Sequence, residues 1–349
     1  MPRYYTRACN FYLGQQSKAL VNKKQSIPLH HLKEISFDHI EIITRKKIRR
    51  ISINKIRNLS KKLKTKINSD LKKIRSKKSN FSNLNFKKIP NILGVLNLTP
   101  DSFSDGGKFN KKNKGVSHAI NLYKTGASLV DVGGESTRPG SKEVNKNREW
   151  YRINKTLKLI VKKIPISLDT RKSAIMENGI RMGVKLINDV SGLSHDPKTI
   201  NVLKKYKIPF VIQHSVGTPE NMQKKAKYKN ELLDIYDYFE DKIKLIRSQG
   251  IKHNNIILDP GIGFGKNLKH NITLIRNISI FHSLGFPVMI GTSRKRFIKG
   301  ISKNNDSKER LGGTISSCLF AITQGVQILR VHDVNEVNQS IKVFKSLKF

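Results

Sequence analysis

Eight short apolar segments, spaced along the last three-quarters of the chain, each end in polar, charged or glycine residues. Longer stretches with helical periodicity lie between them, such as 231–247 and 268–284. This alternation predicts a (β/α)8 TIM barrel, in which the loops after the strands form the catalytic face. A doubly wound open sheet is the alternative, but residues 91–349 supply the roughly 250 residues that a barrel needs. The predicted strands are 91–98, 129–133, 166–169, 186–189, 210–214, 256–259, 287–291 and 327–332.

The formal net charge of +43 raises the hypothesis of nucleic-acid binding. Residues 1–90 carry 24 Lys and Arg against 4 Asp and Glu, so the excess divides into +20 there and +23 in the remainder. A lysine excess spread over both halves favours a general compositional bias, and we expect no nucleic-acid partner. The positive electrostatic field of the protein would still favour encounter with an anionic substrate.

Two cysteines far apart in sequence, Cys9 and Cys318, indicate neither a disulfide framework nor a thiolate metal site. Cys318 lies in an apolar stretch and is expected in the core. No segment has the apolar length of a membrane span. We expect a soluble protein without membrane contact, in the cytoplasm, although an organelle stays open.

The first 85 residues differ from the rest and predict a small basic α/β extension. Segments 37–44 and 48–53 have the pattern of strands, and 56–75 has the spacing of a basic amphipathic helix. Residues 76–85, rich in Lys, Ser and Asn, are expected to be a linker to a catalytic domain over 86–349. A cleavable transit peptide is the rival interpretation, because the region is rich in basic and poor in acidic residues.

The first two strand ends lead into loops rich in residues that contact ligands. The first reads GVLNLTPDSFSDGG over 94–107, a composition typical of loops that close over a ligand. The second reads DVGGESTRPG over 131–140, where paired glycines allow close backbone approach and Thr137 and Arg138 offer a hydroxyl and a guanidinium. Each pattern alone also occurs in ordinary loops.

The next three strand ends carry Asp169, Asn188 and His214. A carboxylate or amide at a strand end is often a turn residue. Three in succession on the same predicted face favour a ligand site.

The sixth end, ILDPGIGFGKN over 257–267, superficially resembles a phosphate loop. Pro260 stands where that pattern has its first glycine, and Asn267 replaces its Ser or Thr, so the interpretation is rejected.

The seventh and eighth ends read IGTSRK over 290–295 and ILRVHD over 328–333. Arg330 and His332 alternate along a strand and therefore point to one side. With Lys295 they offer two cations and an imidazole to an anion.

Taken jointly, the eight strand ends of residues 89–349 resemble those of the dihydropteroate synthases, pterin-binding barrel enzymes, in order and at compatible spacing. The resemblance implies a transferase of folate biosynthesis. It would condense 6-hydroxymethyl-7,8-dihydropterin diphosphate with 4-aminobenzoate, giving 7,8-dihydropteroate and diphosphate. It also implies Mg2+ as cofactor, a homodimer and a pocket that accepts sulfonamides.

The resemblance assigns two groups of residues to the pterin diphosphate. Paired N–H donors of the pterin would be satisfied by buried polar side chains. The pterin would be bound by Asp169, Asn188, Asp259 and Lys295. The diphosphate and Mg2+ would be bound by Asn97, Arg330 and His332, with Asn97 as the metal ligand.

The remaining implied roles concern the amine and the chemistry. The 4-aminobenzoate site would be formed by Thr137, Arg138, Pro139, Phe264 and Ser293. The residues expected to act in catalysis, by favouring a dissociated pterin cation or the leaving group, are Asp101, Asp105, Lys295, Arg330 and His332.

The chain departs from the family pattern after the fifth strand, where Gln213, His214 and Ser215 stand in place of Met-His-Met. Loss of the two methionines puts in doubt the apolar packing on one face of the pterin. The hydrogen-bonding set is untouched.

Two other functions are less consistent with the sequence. A pterin-dependent methyltransferase could use the same barrel, but such enzymes lack the TPDSFSDGG loop and the SRK lysine found here. An RNA-binding factor could use the basic extension, but interleaved aromatic residues and a known RNA-binding signature are missing there.

Overall fold

The computed structural model describes residues 3–99, 114–138, 140–303 and 306–349. An antiparallel sheet with two helices is followed by an eight-stranded parallel sheet. Across the described ranges, no helix combines the length and the hydrophobicity that crossing a membrane requires. Cys9 and Cys318 are both buried and unpaired with each other, and Cys318 lies in the main core as expected.

The N-terminal unit is built around its longest strand, which pairs antiparallel with the other three. Ile67, Leu71 and Ile74 recur at helical spacing and bury the inner face of the second helix against this sheet. The elements are β1 Tyr5–Leu13, α1 Gly14–Asn22, β2 Ile27–Leu29, β3 Leu32–Ile43, β4 Ile48–Ser52, a 3-10 helix Ile53–Asn58 and α2 Lys61–Arg75.

The segment after α2, predicted as a linker, packs under the second unit. Leu84 and Phe86 are buried in one cluster with apolar side chains from seven of the parallel strands. The Ser82 hydroxyl donates to the Lys185 carbonyl at 2.6 Å, and the Asn83 amide donates to the Ser128 carbonyl at 2.8 Å. The segment therefore covers the floor of the parallel sheet.

The parallel strands form the predicted barrel. Neighbours in sequence are neighbours in the sheet, the first strand also pairs with the last, and a bridge between Leu258 and Val288 joins the two remaining edges. The (β/α)8 fold is thus confirmed, with strand bounds within two residues of those predicted. They are β5 Asn91–Asn97, β6 Leu129–Gly133, β7 Ile166–Asp169, β8 Leu186–Asp189, β9 Phe210–Gln213, β10 Ile256–Asp259, β11 Met289–Ile290 and β12 Ile328–Val331.

Helices connect the strands on the outside of the barrel. The helix predicted over 268–284 is divided at Asn277, whose side-chain amide donates to the Thr273 carbonyl at 2.8 Å, and the chain continues as a 3-10 helix over Ile278–Leu284. The helices are α3 Lys114–Lys124, α4 Lys146–Ile160, α5 Ser173–Met182, α6 Thr199–Tyr206, α7 Glu231–Ser248, α8 Leu268–Arg276, α9 Arg296–Ser302, α10 Leu311–Thr323 and α11 Val334–Lys348, with a short 3-10 turn Lys308–Arg310.

The two units share a mixed interface. Tyr5 packs edge-on against Tyr236 of α7, with ring centroids 5.2 Å apart. The Ser279 hydroxyl donates to the Ala8 carbonyl at 2.8 Å. At the rim, Arg45 pairs with Asp234 and Asp237 of α7. The first unit is therefore docked on α7 and the 3-10 segment after α8.

Candidate active site

The interior of the barrel changes from apolar to polar along the strands. Alternate strand residues point inward, and the floor layer is Leu93, Leu129, Leu186, Val211, Ile257, Met289 and Ile328. The inward positions two residues farther along the same strands are Val95, Asp131, Asn188, Gln213, Asp259, Gly291 and Arg330. We call Asp131, Asn188, Gln213, Asp259 and Arg330 the polar ring.

Arg330 links the ring to the end of β7. Its Nε donates to Asp131 Oδ2 and one terminal nitrogen donates to Asp169 Oδ2, each at 2.7 Å. Asp131 also accepts from the Asn188 amide at 2.9 Å and from the Ser167 hydroxyl at 2.6 Å. Burial raises the pKa of Asp169, and the Arg330 guanidinium opposes that shift. These contacts fix the guanidinium and the Asn188 amide before any ligand arrives.

Asp259 of the polar ring lies close to Lys295, and each affects the pKa of the other. Burial, with Arg330 nearby, lowers the pKa of Lys295 to about 8, and its Nζ lies 4.3 Å from the centroid of the Phe264 ring. Burial raises the pKa of Asp259, whose Oδ1 accepts from the Gly261 N–H at 2.8 Å. Both groups are thus partly removed from solvent, which disfavours their charged forms.

His332 and Ser293 form a hydrogen-bonded pair beside Arg330. Ser293 Oγ lies 3.0 Å from His332 Nδ1, and the His332 N–H donates to the same hydroxyl at 3.2 Å. Burial, with the charge of Arg294, lowers the pKa of His332 well below its usual value, so the imidazole is neutral at neutral pH. Arg294 in turn pairs with Asp333. His332 can therefore donate or accept a hydrogen bond but adds no formal charge.

A cavity of about 520 Å³ is lined by Arg330 of the polar ring and by side chains around it. Its described lining contains no Asp or Glu and several basic side chains, which suits an anionic ligand. Of the residues predicted from sequence, the lining includes Asn97, Thr137, Arg138, Phe264, Ser293, Lys295, Arg330 and His332. That lining does not include Asp169, Asn188 or Asp259. Asp169 accepts a hydrogen bond from Arg330 of the lining, and Asn188 is connected to Arg330 through Asp131. Asp101, Asp105 and Pro139 lie outside the described residues.

A buried ionic network supports the loop that carries Thr137 and Arg138. Arg171 donates to Glu135 at 2.8 Å, and Lys172 bridges Glu135 and Glu149 at 3.0 and 2.7 Å. Glu135 also accepts from the Val144 N–H at 2.8 Å. Both ends of the loop are therefore tied to the residues that follow β7.

Sequence reasoning missed two charged residues of the site. Asp131 stands inside a strand, so a search of strand ends passes over it. Lys266 was read only as part of a rejected phosphate loop, yet its ammonium is buried, donates to the Phe264 carbonyl at 2.9 Å and lies 3.0 Å from His214 Nδ1. Burial lowers the pKa of Lys266 to about 7.

Met222 was also missed, and it bears on the departure after the fifth strand. Its side chain lines the cavity and packs with Phe264 and Val190 in a small apolar cluster. An apolar wall is present although Gln213 and Ser215 replace the expected methionines. Met222, nine residues beyond Gln213, therefore adds apolar surface to the cavity.

Comparison with known proteins shows which family the chain resembles. A family model described as "Pterin binding enzyme" matches residues 93–332. Dihydropteroate synthase of Synechocystis sp. is 38% identical over 258 residues, covering 73% of this chain and 89% of the relative. That of Bacillus subtilis is 37% identical over 268 residues, covering 76% and 91%.

Solved structures give the same result. Dihydropteroate synthase of Yersinia pestis with a sulfonamide drug complex has a TM-score of 0.72 and 35% identity, covering 76% of this chain and 96% of that one. The Thermus thermophilus enzyme in complex with 4-aminobenzoate has a TM-score of 0.67 and 34% identity, covering 75% and 96%. The family match, the identity and the barrel agree, and the chain belongs to the pterin-binding enzymes and, among them, to the dihydropteroate synthases.

Proposed function

We propose that this chain condenses 6-hydroxymethyl-7,8-dihydropterin diphosphate with 4-aminobenzoate, giving 7,8-dihydropteroate and diphosphate. The observation that supports this proposal is a basic cavity lined by Arg330, whose guanidinium is hydrogen-bonded to the buried polar side chains of the ring. Such a site can bind a polar heterocycle below and a polyanion above. The test is diphosphate release by the purified protein, which should require both 4-aminobenzoate and Mg2+.

The pterin is assigned to Asn188 and Asp259 of the polar ring, with Asp169 and Lys295 beside them. Asp259 would accept from the N–H groups of the pterin edge, and Lys295 would donate to its acceptors. Asn188 and Asp169 would complete the set, with Asn188 oriented by its bond to Asp131. Phe264 and Met222 supply apolar surface next to these polar groups.

The diphosphate is assigned to the mouth of the barrel, near Arg330, His332 and Asn97. In the dissociative mechanism that the family implies, the bond between the pterin methylene carbon and the diphosphate oxygen breaks first, and the electron pair leaves with diphosphate. Fixed donors at Arg330 and His332 stabilise the developing charge without rearrangement. The loop carboxylates Asp101 and Asp105 are assigned to the resulting pterin cation.

4-Aminobenzoate is assigned to the second loop, with Thr137, Arg138, Pro139, Phe264 and Ser293. Arg138 is the natural partner for the carboxylate, because a guanidinium can bind it with two hydrogen bonds. The amine nitrogen then forms the new bond to the methylene carbon and loses one proton. Sulfonamides that mimic 4-aminobenzoate would occupy the same place.

Mg2+ fits the donor set only together with the diphosphate. The described cavity lining offers the Asn97 side chain but no carboxylate, and the described residues hold no group of three or more His, Cys, Asp and Glu suited to a metal. Magnesium commonly uses one or two protein oxygens with substrate phosphates and water. Bound there, the ion would neutralise charge on the leaving group, with Asn97 as its protein ligand.

The proposal also covers the domains of the chain, its assembly and its location in the cell. Residues 1–85 are assigned to an extension and 86–349 to the catalytic domain; the extension has its own apolar cluster around Phe37 and Ile67. The assembly is assigned as a homodimer in the cytoplasm, which sedimentation of the purified protein and fractionation of cells would test. A nucleic-acid partner is not proposed.

A further inference from the structure

Gln213 occupies a position in the polar ring between two residues assigned to the pterin. Its strand, β9, lies between β8, which carries Asn188, and β10, which carries Asp259. Gln213 is directly paired in register with Asp259 and is 3% exposed. On the other side, Asn188 is paired in register with Val211, two residues before Gln213 on the inward face of β9. The three inward side chains are therefore direct or diagonal neighbours and form one arc.

Two atoms of this arc are buried without a hydrogen-bond partner among the described residues: Gln213 Nε2 and Asn188 Oδ1. The orientation of Asn188 is set, because its Nδ2 donates to Asp131 at 2.9 Å. An unsatisfied buried donor or acceptor is costly, so native proteins rarely keep one without a reason. The arc therefore presents an acceptor at Asn188, a donor at Gln213 and a carboxylate at Asp259.

The apolar wall of the site does not depend on position 213. Met222 reaches the cavity from the loop after β9 and packs with Phe264 and Val190. Its position is fixed locally, since its N–H donates to the Thr218 carbonyl at 2.8 Å. Position 213 is thus free to carry an amide where the family pattern has a methionine.

We propose that Gln213 is a specificity-determining residue of the pterin subsite, with Nε2 donating to an acceptor atom of the bicyclic ring. The neighbouring carboxylate of Asp259 takes the N–H groups of the same edge. A heterocycle with alternating acceptors and donors then satisfies the arc, which a methionine at position 213 could not do. This inference rests on the function proposed above.

The test compares Gln213→Met and Gln213→Glu with the unaltered protein and with Gln249→Met, the same exchange at an exposed position outside the cavity lining. Calorimetry measures binding of 6-hydroxymethyl-7,8-dihydropterin diphosphate without 4-aminobenzoate. Gln213→Met should weaken binding about tenfold, the range of one lost hydrogen bond. Gln249→Met should bind within about twofold of the unaltered protein.

Two further readouts separate ligand recognition from a structural role. Removing an orphan donor should leave the melting temperature of the ligand-free Gln213→Met protein unchanged or raise it, because apolar replacement of a buried polar group can be neutral or stabilising. Gln213→Glu should bind the pterin more weakly than Gln213→Met at neutral pH. Its affinity should recover as the pH falls, because a protonated glutamic acid again offers a donor.

The inference is overturned if Gln213→Met binds the pterin as tightly as the unaltered protein, or if affinity and melting temperature fall together. It is also overturned if Gln213→Glu shows no recovery at lower pH. Failure of the unaltered protein to bind the pterin at all would instead contradict the proposed function.

Discussion

Lys295 shows how position changes the chemistry of a single residue. Desolvation and the charge of Arg330 lower its pKa to about 8, against the attraction of Asp259 and Asp169. Its protonated form therefore dominates below that pH and is lost above it. Because this ammonium is assigned as a donor to the pterin, the affinity for the pterin should depend on pH in the same way.

Affinity for the pterin diphosphate should weaken about tenfold between pH 7 and pH 9, as the protonated fraction of Lys295 falls. Lys295→Arg keeps a cation throughout this range, so its affinity, whatever its value at pH 7, should stay nearly level. Calorimetric titrations of both proteins across the range check this. Identical pH profiles would show that another group controls binding.

Substitutions of Asp259 and of Asp101 should have different effects on pterin binding and on turnover. Asp259→Ala removes a buried charged acceptor and should weaken pterin binding about 10- to 100-fold. Asp101→Ala should mainly lower kcat, because its carboxylate is assigned to the pterin cation. The exposed Asp241 offers a control, and Asp241→Ala should leave both quantities unchanged. Equal, mild effects of the first two substitutions on both quantities would contradict the assigned roles.

Among the secondary-structure elements, the parallel strands could be predicted from the sequence. Each is a short apolar run ending in polar residues, which is a local signal. The strands of the extension were harder, because β1 is fixed by pairing with β3 some thirty residues away and by packing on the segment Ile278–Leu284. The contact between Asp131 and Arg330 likewise exists only once the barrel closes, so no local spacing could reveal it.

The floor segment should matter for stability. Leu84 is 1% exposed and packs under the barrel with Phe86. Leu84→Ala should lower the free energy of unfolding by about 2–5 kcal/mol, through lost burial and a residual cavity. Urea denaturation measures this.

Leu347→Ala is the matched control, because that side chain is 78% exposed. It should change the free energy of unfolding by less than about 0.5 kcal/mol. A Leu84→Ala protein as stable as this control would mean that residues 76–86 are only a connection.

In the whole molecule, the barrel and the extension have different structural roles. The barrel brings side chains from distant strands into one site, as in the ion pair of Arg330 with Asp131, which are 199 positions apart. The extension docks on the outside, with Tyr5 against α7 and the 76–86 segment across the floor. The cavity of the candidate site lies at the opposite end of the strands from this floor segment.

The central claim is that these converging residues catalyse the condensation. The most direct measurement is diphosphate release by the purified full-length protein, supplied with 6-hydroxymethyl-7,8-dihydropterin diphosphate, with 4-aminobenzoate and Mg2+ each present or withheld. We predict release, with formation of 7,8-dihydropteroate, only when both are present. Binding of the pterin diphosphate without any turnover under the complete conditions would contradict the claim.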